Sequence, residues 1–388
     1  MNVDGQGKTC NIPKVGLVLT GGGARAAYQV GVLRAIAGML PDSTRNPFPV
    51  ICGTSAGAIN ATSLAVSANN FYGGVRELEA VWGGFHVNHV YRSDFMGVLS
   101  NSLRCLGSLM SDKYGRNKAV SLLDNRPLEA LLRHRFPFRA IHRCVQSGAL
   151  HALGLTAWGY TSGQSVTFYQ AAKSVRPWKR AQRVGVAARI GVKHLMASSS
   201  IPFVFPAVKL NREYFGDGSM RQMAPISPAL HLGAEKILVI GVHTQASVVP
   251  KRVSVSSYPP FAQIAGHAMN SIFVDSLDVD LERLQRINGT LKMIPPGTLK
   301  ENNISLRPIE SMMISPSEEI NDIALQYADT LPLTMRLLCH GIGAMGPNGS
   351  TLLSYILFEE RFCKALIKLG YNDTLQQRNE ILQFIGVA

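Results

Sequence analysis

Apolar and polar positions alternate in blocks at the start of the chain. Continuous runs at 15–19 (VGLVL) and 49–53 (PVICG) are typical of buried parallel strands. Small and apolar side chains at helical spacing follow each run and predict helices over 24–39 and 56–66. This order predicts the first two strand–helix units of a parallel α/β sheet with right-handed crossovers.

The rest of the chain repeats this pattern less regularly. Helical pieces are predicted at 77–82 and 122–135, and strands at 152–160 and 165–169 (joined by the turn TSGQ), 208–210, 213–215 and 235–242. The final part predicts a linker at 247–260, a long helix at 261–287, strands in LKMIPPG and ISLRPIE, a loop in GIGAMGPNGS and a helix at 352–369. The sequence shows no internal repeat.

The chain has 388 residues, 46% of them hydrophobic, which suffices for one large α/β domain and a smaller addition. We expect a loose tail over 1–14, a main domain over 15–246, and an α+β extension over 247–388 that packs on the main domain. No basic, apolar leader opens the chain, and no apolar run approaches the roughly 18 residues of a spanning helix. We therefore expect neither a signal peptide nor a transmembrane segment.

The formal net charge of +14 is concentrated in one segment. Residues 86–200 carry 17 lysines and arginines against four aspartates and glutamates. Such a segment faces an anionic membrane, nucleic acid or only solvent. Aromatic residues are interspersed here, but no RNP-like, zinc-finger or helix-turn-helix pattern occurs, so we expect no nucleic-acid partner. We interpret 86–200 as part scaffold and part cap over a site.

The six cysteines show no CxxC pair and no regular spacing. This disfavours a metal site and a disulfide scaffold. Reduced, mostly buried thiols in a cytosolic protein are the interpretation that the pattern favours. We expect no metal ion and no cofactor.

The second predicted strand leads into GTSAG, where one serine stands among small residues. A nucleophile on a strand-to-helix turn needs a strained backbone, and the residues two before and two after it come close together. Gly53 and Gly57 supply that space around Ser55. The turn also presents the hydroxyl to the N-terminus of the next helix, where free N–H groups favour a forming anion. A purely structural glycine turn is the alternative interpretation.

The stretch TGGGARAA lies between the first strand and the first helix. Successive glycine N–H groups at a helix start bind anions, which leaves two chemistries open. One is a pyrophosphate cradle, since Gly21, Gly23 and Ala26 fit the dinucleotide-binding spacing G-x-G-x-x-A. Asp42 is then near the distance of the required acidic residue, although it lies in a predicted loop. The other chemistry is an oxyanion hole for acyl transfer.

A third motif, GDGS at 216–219, follows a predicted strand. Asp217 is either a turn former between two glycines or a carboxylate held at a strand end beside a substrate. The motif alone favours the turn.

Together, the three motifs resemble the patatin-like phospholipase family, in particular its bacterial members. That family has a glycine-rich oxyanion loop, a G-x-S-x-G elbow and a later D-G-G/A/S, in this order; here they are GGGAR, GTSAG and DGS. The stretch SSSIPFVFP at 198–206 is similar to the family's approach to the aspartate. The resemblance covers roughly 15–242. Thr20 stands where plant members have aspartate, and Ala26 where many members have glycine.

The resemblance implies a patatin-like three-layer α/β/α fold with a mainly parallel central sheet. It implies a Ser–Asp dyad without histidine, in which Asp217 takes the proton of Ser55 directly. The implied oxyanion loop comprises Gly21, Gly22, Gly23, Ala24 and Arg25. Its donors would be the backbone N–H groups of Gly22, Gly23 and Ala24. For Arg25, a surface or ion-paired role is the alternative to contact with substrate.

Two other interpretations stay open. A Ser-His-Asp triad in the order Ser55, Asp217, His243 suits an α/β-hydrolase, although the elbow comes early for that fold and no HGGG motif occurs. His231 and His267 also follow the aspartate. The second is a protein that kept the fold and binds lipid without turnover.

We therefore expect a lipid acyl hydrolase of the phospholipase A or lysophospholipase type. Its substrate would be a phospholipid or another acyl-ester lipid. The basic segment predicts peripheral contact with an anionic membrane. We expect a cytoplasmic protein at the inner face of that membrane.

Overall fold

One mixed sheet forms the centre of the molecule. The computed structural model describes residues 13–92, 121–202, 204–244, 260–273, 275–295, 297–302, 306–347 and 349–387. The strands in this part of the chain are β1 (Val15–Leu19), β2 (Val50–Thr54), β3 (Ala152–Gly159), β4 (Ser165–Ala171), β5 (Trp178–Arg180), β6 (Arg183–Ala187), β7 (Val208–Leu210), β8 (Glu213–Asp217), β9 (Lys236–Ile240) and β10 (Glu310–Ile314).

The order of the strands across the sheet is β10-β9-β1-β2-β3-β4-β6-β5, with β8 paired to β3 and β7 paired to β8. Strands β10, β9, β1, β2 and β3 all run parallel to their neighbours in this series. Strands β4 and β8 run antiparallel to β3. The sheet is therefore mainly parallel, as the sequence predicts.

Helices cover both faces of this sheet. They are α1 (Ala27–Met39), α2 (Ala56–Val66), α3 (Phe71–Gly83), α4 (Val87–Val90), α5 (Arg126–Arg135), α6 (Arg139–Gln146), α7 (Val192–Ser198), α8 (Ser227–His231), α9 (Phe261–Phe273), α10 (Asp275–Lys292), α11 (Thr298–Glu301), α12 (Ile320–Gln326), α13 (Leu333–Gly341), α14 (Ser350–Ile356), α15 (Glu360–Gln376) and α16 (Arg378–Ile385). Short 3₁₀ helices lie at Gly23–Ala26, Gly218–Arg221 and Ala328–Thr330. Within the described part of the chain, no helix is both long and apolar enough to cross a bilayer.

Successive side chains of a strand point to opposite faces, and here both faces are apolar. Leu17 and Leu19 of β1 belong to a large buried cluster that includes Leu33 of α1. Val18, between them, belongs to a second buried cluster that includes Leu281 of α10. One sheet between two helical layers confirms the three-layer α/β/α prediction.

The C-terminal part of the chain completes this architecture. Strand β10 pairs in parallel with β9 at the edge of the sheet. The Tyr28 hydroxyl in α1 donates a hydrogen bond of 2.9 Å to Asp373 Oδ2 in α15. Asp373 Oδ1 in turn accepts a hydrogen bond of 2.6 Å from the Ser317 hydroxyl. These contacts join residues of the predicted extension to the first helix of the main domain.

Several predicted elements are confirmed, with β1 and α2 matching their predicted bounds residue for residue. The predicted strand in LKMIPPG is wrong, because its first two residues end α10 and Met293 is 78% exposed after them. The predicted strand in ISLRPIE is also misplaced. Ile309 donates its N–H to Asn288 Oδ1 at 3.0 Å and its carbonyl oxygen accepts from Asn288 Nδ2 at 2.7 Å, and β10 begins only at Glu310.

The helix predicted over 261–287 corresponds to α9 and α10, which lie on either side of residue 274, outside the described residues. Another predicted long helix is divided. The helix predicted over 352–369 is interrupted between α14 and α15, where Glu359 Oε1 accepts the Val87 N–H at 3.2 Å and Oε2 lies 3.1 Å from His86 Nδ1. Most of the predicted tail and linker, and residues 93–120 of the basic segment, lie outside the described residues. The domain boundary at 246/247 stays a prediction.

Candidate active site

Ser55 lies on a sharp turn between β2 and α2. Its backbone has φ 54° and ψ −129°, in the left-handed half of conformational space that non-glycine residues rarely adopt. A Cβ at Gly53 would collide with the carbonyl oxygen of Gly57, and a Cβ at Gly57 with that of Leu19. The turn therefore requires glycine two residues before and two residues after the serine.

Strand β8 brings Asp217 to the end of β2. Strand β2 pairs with β3 as far as Thr54, which lies opposite Thr156. Strand β4 pairs along the other edge of β3. Strand β8 therefore pairs with β3 on the same edge as β2, beyond the point where β2 ends. There Asp217 lies opposite Ala157, one position further on. This register places the carboxylate directly beyond β2, next to Ser55.

Asp217 is fully buried. Its Oδ1 accepts the Ser219 N–H at 2.9 Å, and its Oδ2 has no partner with full hydrogen-bond geometry among the described residues. Burial raises the pKa of Asp217 to about 6, while the Ser55 side chain and the Ser219 N–H and hydroxyl lower it. No histidine is among the groups that set the pKa of this carboxyl in the described structure.

Ser198 supports the turn, and sequence reasoning assigned it no role. Its buried Oγ accepts the Ser55 N–H at 3.0 Å and donates to the Thr156 carbonyl oxygen at 2.6 Å. The hydroxyl thus ties the strained residue to the neighbouring strand. The signal available in the sequence was the run of three serines in SSSIPFVFP, ahead of the aspartate.

The glycine loop borders the same turn. Gly57 packs so closely on the end of β1 that a Cβ added there would lie 2.6 Å from the Thr20 carbonyl oxygen. Gly21 and Gly22 continue the loop, and Gly23 opens the 3₁₀ helix with φ +56°. The loop, Ser55 and Asp217 therefore meet at the carboxyl end of the parallel strands, where ligand sites of α/β sheets occur.

Arg25 is the member of the predicted loop that turns away from this meeting point. Its N–H donates to the Gly22 carbonyl oxygen at 3.2 Å, and its buried side chain donates to Ser354 and Asn321 near the C-terminus. Neither group is free to bind substrate. No pattern in the sequence connects Arg25 with residues about 300 positions later.

The family model described as patatin-like phospholipase matches residues 17–230. The chain belongs to the patatin-like phospholipase family. The match contains the glycine loop, the Ser55 turn and Asp217. It ends before β9, β10 and all helices from α9 onward.

One curated relative of this patatin-like protein is named cGAMP-activated phospholipase, from Pseudomonas aeruginosa (strain BWHPSA011 / Pa011). The two are 27% identical over 216 residues, which is 55% of this chain and 55% of the relative. The chain thus matches about half the length of that relative.

Two solved structures are similar at 12% identity. VipD from Legionella pneumophila has a TM-score of 0.39, with 98% of this chain and 69% of that chain covered. Human GIVD cytosolic phospholipase A2 in complex with methyl gamma-linolenyl fluorophosphonate has a TM-score of 0.43, with 97% and 59% covered.

The histidines that could complete a triad have other surroundings. His243 Nε2 lies 3.2 Å from Asp278 Oδ2, and His243 does not contribute to the pKa of Asp217. His231 stacks on the Trp178 ring, and His267 is exposed on α9. The described structure therefore gives Ser55 a carboxylate neighbour and no imidazole.

Replacement of His243 by alanine is accordingly expected to leave kcat/KM for a p-nitrophenyl ester within about twofold of wild type. The substitution removes the contact with Asp278, and His243 is not among the groups that set the pKa of Asp217. A loss of more than about 100-fold in a folded variant would return His243 to the candidate catalytic residues.

The structure separates Asp42 from the glycine loop. The Asp42 carboxylate accepts the Thr44 N–H at 3.1 Å and lines a surface cavity with Lys14 and Pro49. Lys14 and Pro49 precede β1 and β2, so Asp42 lies at the amino end of the strands, whereas the glycine loop lies at their carboxyl end. The arrangement does not fit a dinucleotide site. Among the described residues, no cluster of three or more histidine, cysteine or acidic side chains is placed to hold a metal ion.

Proposed function

We propose that this protein is a lipid acyl hydrolase in which Ser55 is the nucleophile and Asp217 the general base. The observation that carries the proposal is the pairing of a strained, glycine-flanked serine with a fully buried carboxylate at the same strand ends. Membership of a phospholipase family supports a lipid ester as substrate. The name of the curated relative supports the same class of reaction.

The first half of the reaction transfers the acyl group to the serine. Ser55 Oγ attacks the carbonyl carbon of the ester, and its proton passes to the carboxylate of Asp217. Backbone N–H groups of Gly22, Gly23 and Ala24 stabilise the negative charge on the carbonyl oxygen. The C–O bond to the alcohol then breaks, and the leaving oxygen takes the proton from Asp217.

The second half releases the fatty acid. Water attacks the acyl-serine carbonyl carbon, and Asp217 accepts the proton of that water. The same N–H groups stabilise the second tetrahedral intermediate. When the intermediate collapses, Ser55 Oγ leaves and regains its proton from Asp217, so the site returns to its starting state.

The proposed role of Asp217 predicts an acidic limb in the pH profile. The carboxyl must be ionised to accept a proton, and burial raises its pKa to about 6. We expect kcat/KM to be level above about pH 7 and to fall about tenfold per pH unit below pH 6. The measurement is the pH dependence of p-nitrophenyl ester hydrolysis at low substrate concentration.

Ser219→Ala is the matched control for that profile. The Ser219 hydroxyl lowers the pKa of Asp217, and the alanine keeps the N–H that Oδ1 accepts. We expect the limb to move to higher pH in this variant. A wild-type limb near pH 4, or one that Ser219→Ala leaves in place, would contradict the proposed environment of the base.

We also propose peripheral contact with an anionic membrane through the basic segment 86–200. Its charge supports this, as does a surface groove that it forms with no carboxylate in its lining. The described groove residues include Phe138, Arg139, Arg143 and Arg189.

The proposed hydrolase function is tested by the release of fatty acid from phosphatidylglycerol vesicles and phosphatidylcholine micelles by wild type and Ser55→Ala. We expect release by wild type and none by the variant. Release by both proteins at equal rates would overturn the proposed nucleophile. No release from either lipid, together with no hydrolysis of p-nitrophenyl esters by wild type, would overturn the proposed function.

A further inference from the structure

Arg25 joins the glycine loop to the C-terminal helices. Its Nε donates to Ser354 Oγ at 2.8 Å. Its Nη2 donates to Asn321 Oδ1 at 2.8 Å and to the Thr351 carbonyl oxygen at 3.3 Å. The guanidinium carbon lies 4.0 Å from the centre of the Tyr355 ring, within the range of a cation–π interaction.

Helix α14, which holds three of these partners, packs directly on the loop. The carbonyl oxygen of Tyr355 occupies the place that a Cβ at Gly23 would take. Gly23 itself has φ +56°, so its peptide orientation differs from that of an ordinary helical residue. The Tyr355 ring is fully buried, and its hydroxyl donates to Asn270 Oδ1 of α9 at 3.1 Å.

The two segments are joined by a buried cation, the Arg25 guanidinium, which is unusual in a protein interior. It is 3% exposed, and burial lowers its pKa, against the opposing effects of Tyr355 and Glu319. A buried cation is costly unless its donors are paired. Its hydrogen-bond acceptors here are neutral and all lie in the C-terminal part of the chain, so any shift of α14 would leave part of the guanidinium unpaired.

We propose that Arg25 is a positioning residue that holds α14 against Gly23 and thereby aims the backbone N–H groups of Gly22, Gly23 and Ala24 at the developing oxyanion. This inference rests on the proposed function. The partners of Arg25 lie beyond residue 230, where the family match ends. The C-terminal helices thus hold in place oxyanion donors that lie within the family-matched segment.

The test separates transition-state stabilisation from substrate binding. Arg25→Lys keeps the charge and loses the planar fork and the ring contact. We expect its kcat for a p-nitrophenyl ester to fall about 100-fold with KM within about threefold, because a displaced oxyanion donor weakens the transition state more than the ground state. Ser354→Ala removes one acceptor and is expected to lower kcat about tenfold with KM also unchanged.

A second stacked arginine provides the matched control. The guanidinium carbon of Arg34 lies 4.9 Å from the centre of the Tyr371 ring, between α1 and α15 and away from the glycine loop. Arg34→Lys and Tyr371→Phe are expected to retain wild-type kcat and KM. All rates are expressed per folded molecule, with the folded fraction taken from circular dichroism.

The outcomes distinguish this inference from the proposed function. A folded Arg25→Lys variant with kcat within threefold of wild type overturns the positioning role, provided that Ser55→Ala is inactive. If Arg25→Lys does not fold, Ser354→Ala serves as the test, and a kcat of Ser354→Ala equal to that of wild type overturns the positioning role. Equal loss of kcat in the Arg34→Lys control also overturns it. Activity in Ser55→Ala overturns the proposed function, and this inference with it.

Discussion

Ser55→Ala is expected to lower kcat for ester hydrolysis about 10⁶-fold, and Asp217→Asn about 10⁴-fold. Alanine removes the atom that attacks, and asparagine keeps the shape of the side chain but cannot accept the proton. Because the two groups act as a unit, the double variant is expected to be no worse than Ser55→Ala alone. The measurement is the rate of p-nitrophenyl ester hydrolysis per folded molecule.

Two control variants test whether the loss of activity comes from the reacting groups or from the removal of any buried serine or aspartate. Ser63→Ala removes another buried serine, two turns further along the helix that follows Ser55, and Asp280→Asn neutralises another buried aspartate, whose Oδ2 accepts the Ile226 N–H at 3.1 Å. Both are expected to retain activity per folded molecule. A variant of Ser55 or Asp217 that retains a tenth or more of wild-type activity would contradict the dyad.

Asp217→Asn is also expected to be more stable than wild type at pH 8. The folded pKa of about 6 lies above the ordinary value of 3.8, so the folded state binds more protons than the unfolded state between these values. Stability therefore falls as the pH rises through this window, by about 3 kcal/mol in total. The variant lacks this loss, and urea unfolding at pH 4 and pH 8 would reveal the difference. Inactivity with unchanged or raised stability excludes misfolding as its cause.

Gly57→Ala is expected to abolish activity and to destabilise the protein by roughly 2–3 kcal/mol or more. The added Cβ would collide with the Leu19 carbonyl oxygen and lie 2.6 Å from that of Thr20. Both atoms are backbone at the end of β1, so relief requires movement of the elbow away from the glycine loop. Urea unfolding and ester hydrolysis would measure the two effects.

Gly38→Ala is the matched control. Gly38 lies near the end of α1, and a Cβ there would meet no atom within 4 Å. Alanine in such an exposed helical position is expected to stabilise the protein by about 0.5–1 kcal/mol and to leave activity unchanged. Equal behaviour of the two variants would show that the close contact at Gly57 is not what the turn requires.

The local features of the site were accessible from the sequence because each depends on neighbouring residues. A continuous apolar run, two glycines at fixed spacing and a helix-forming stretch predict the turn around Ser55. The same reasoning predicted β1 and α2 to the residue. Asp217 was ambiguous by itself, since a carboxylate between glycines is also typical of a turn, and only its order relative to the other motifs favoured a functional role.

What the sequence did not reveal depends on contacts between distant segments. Ser198 binds the Ser55 N–H across 143 positions, and Arg25 binds Ser354 across 329. Such pairs have no periodicity or spacing from which they could be inferred. The misplaced strand near Pro308 has the same cause: the apolar pattern was present, but the N–H and carbonyl oxygen of Ile309 bind the Asn288 side chain of α10, and pairing starts only at Glu310.

The position of β1 in the sheet has a practical consequence for work with shorter fragments. A fragment cut to the family-matched residues 17–230 would lack β9, β10 and the first two residues of β1, and the rest of β1 would lose its partner on one side. A fully apolar strand would then present a row of unsatisfied N–H and C=O groups to solvent, which is a template for intermolecular pairing. Aggregation of such a fragment would therefore report the loss of a neighbouring strand, and it would carry no information about the chemistry at Ser55.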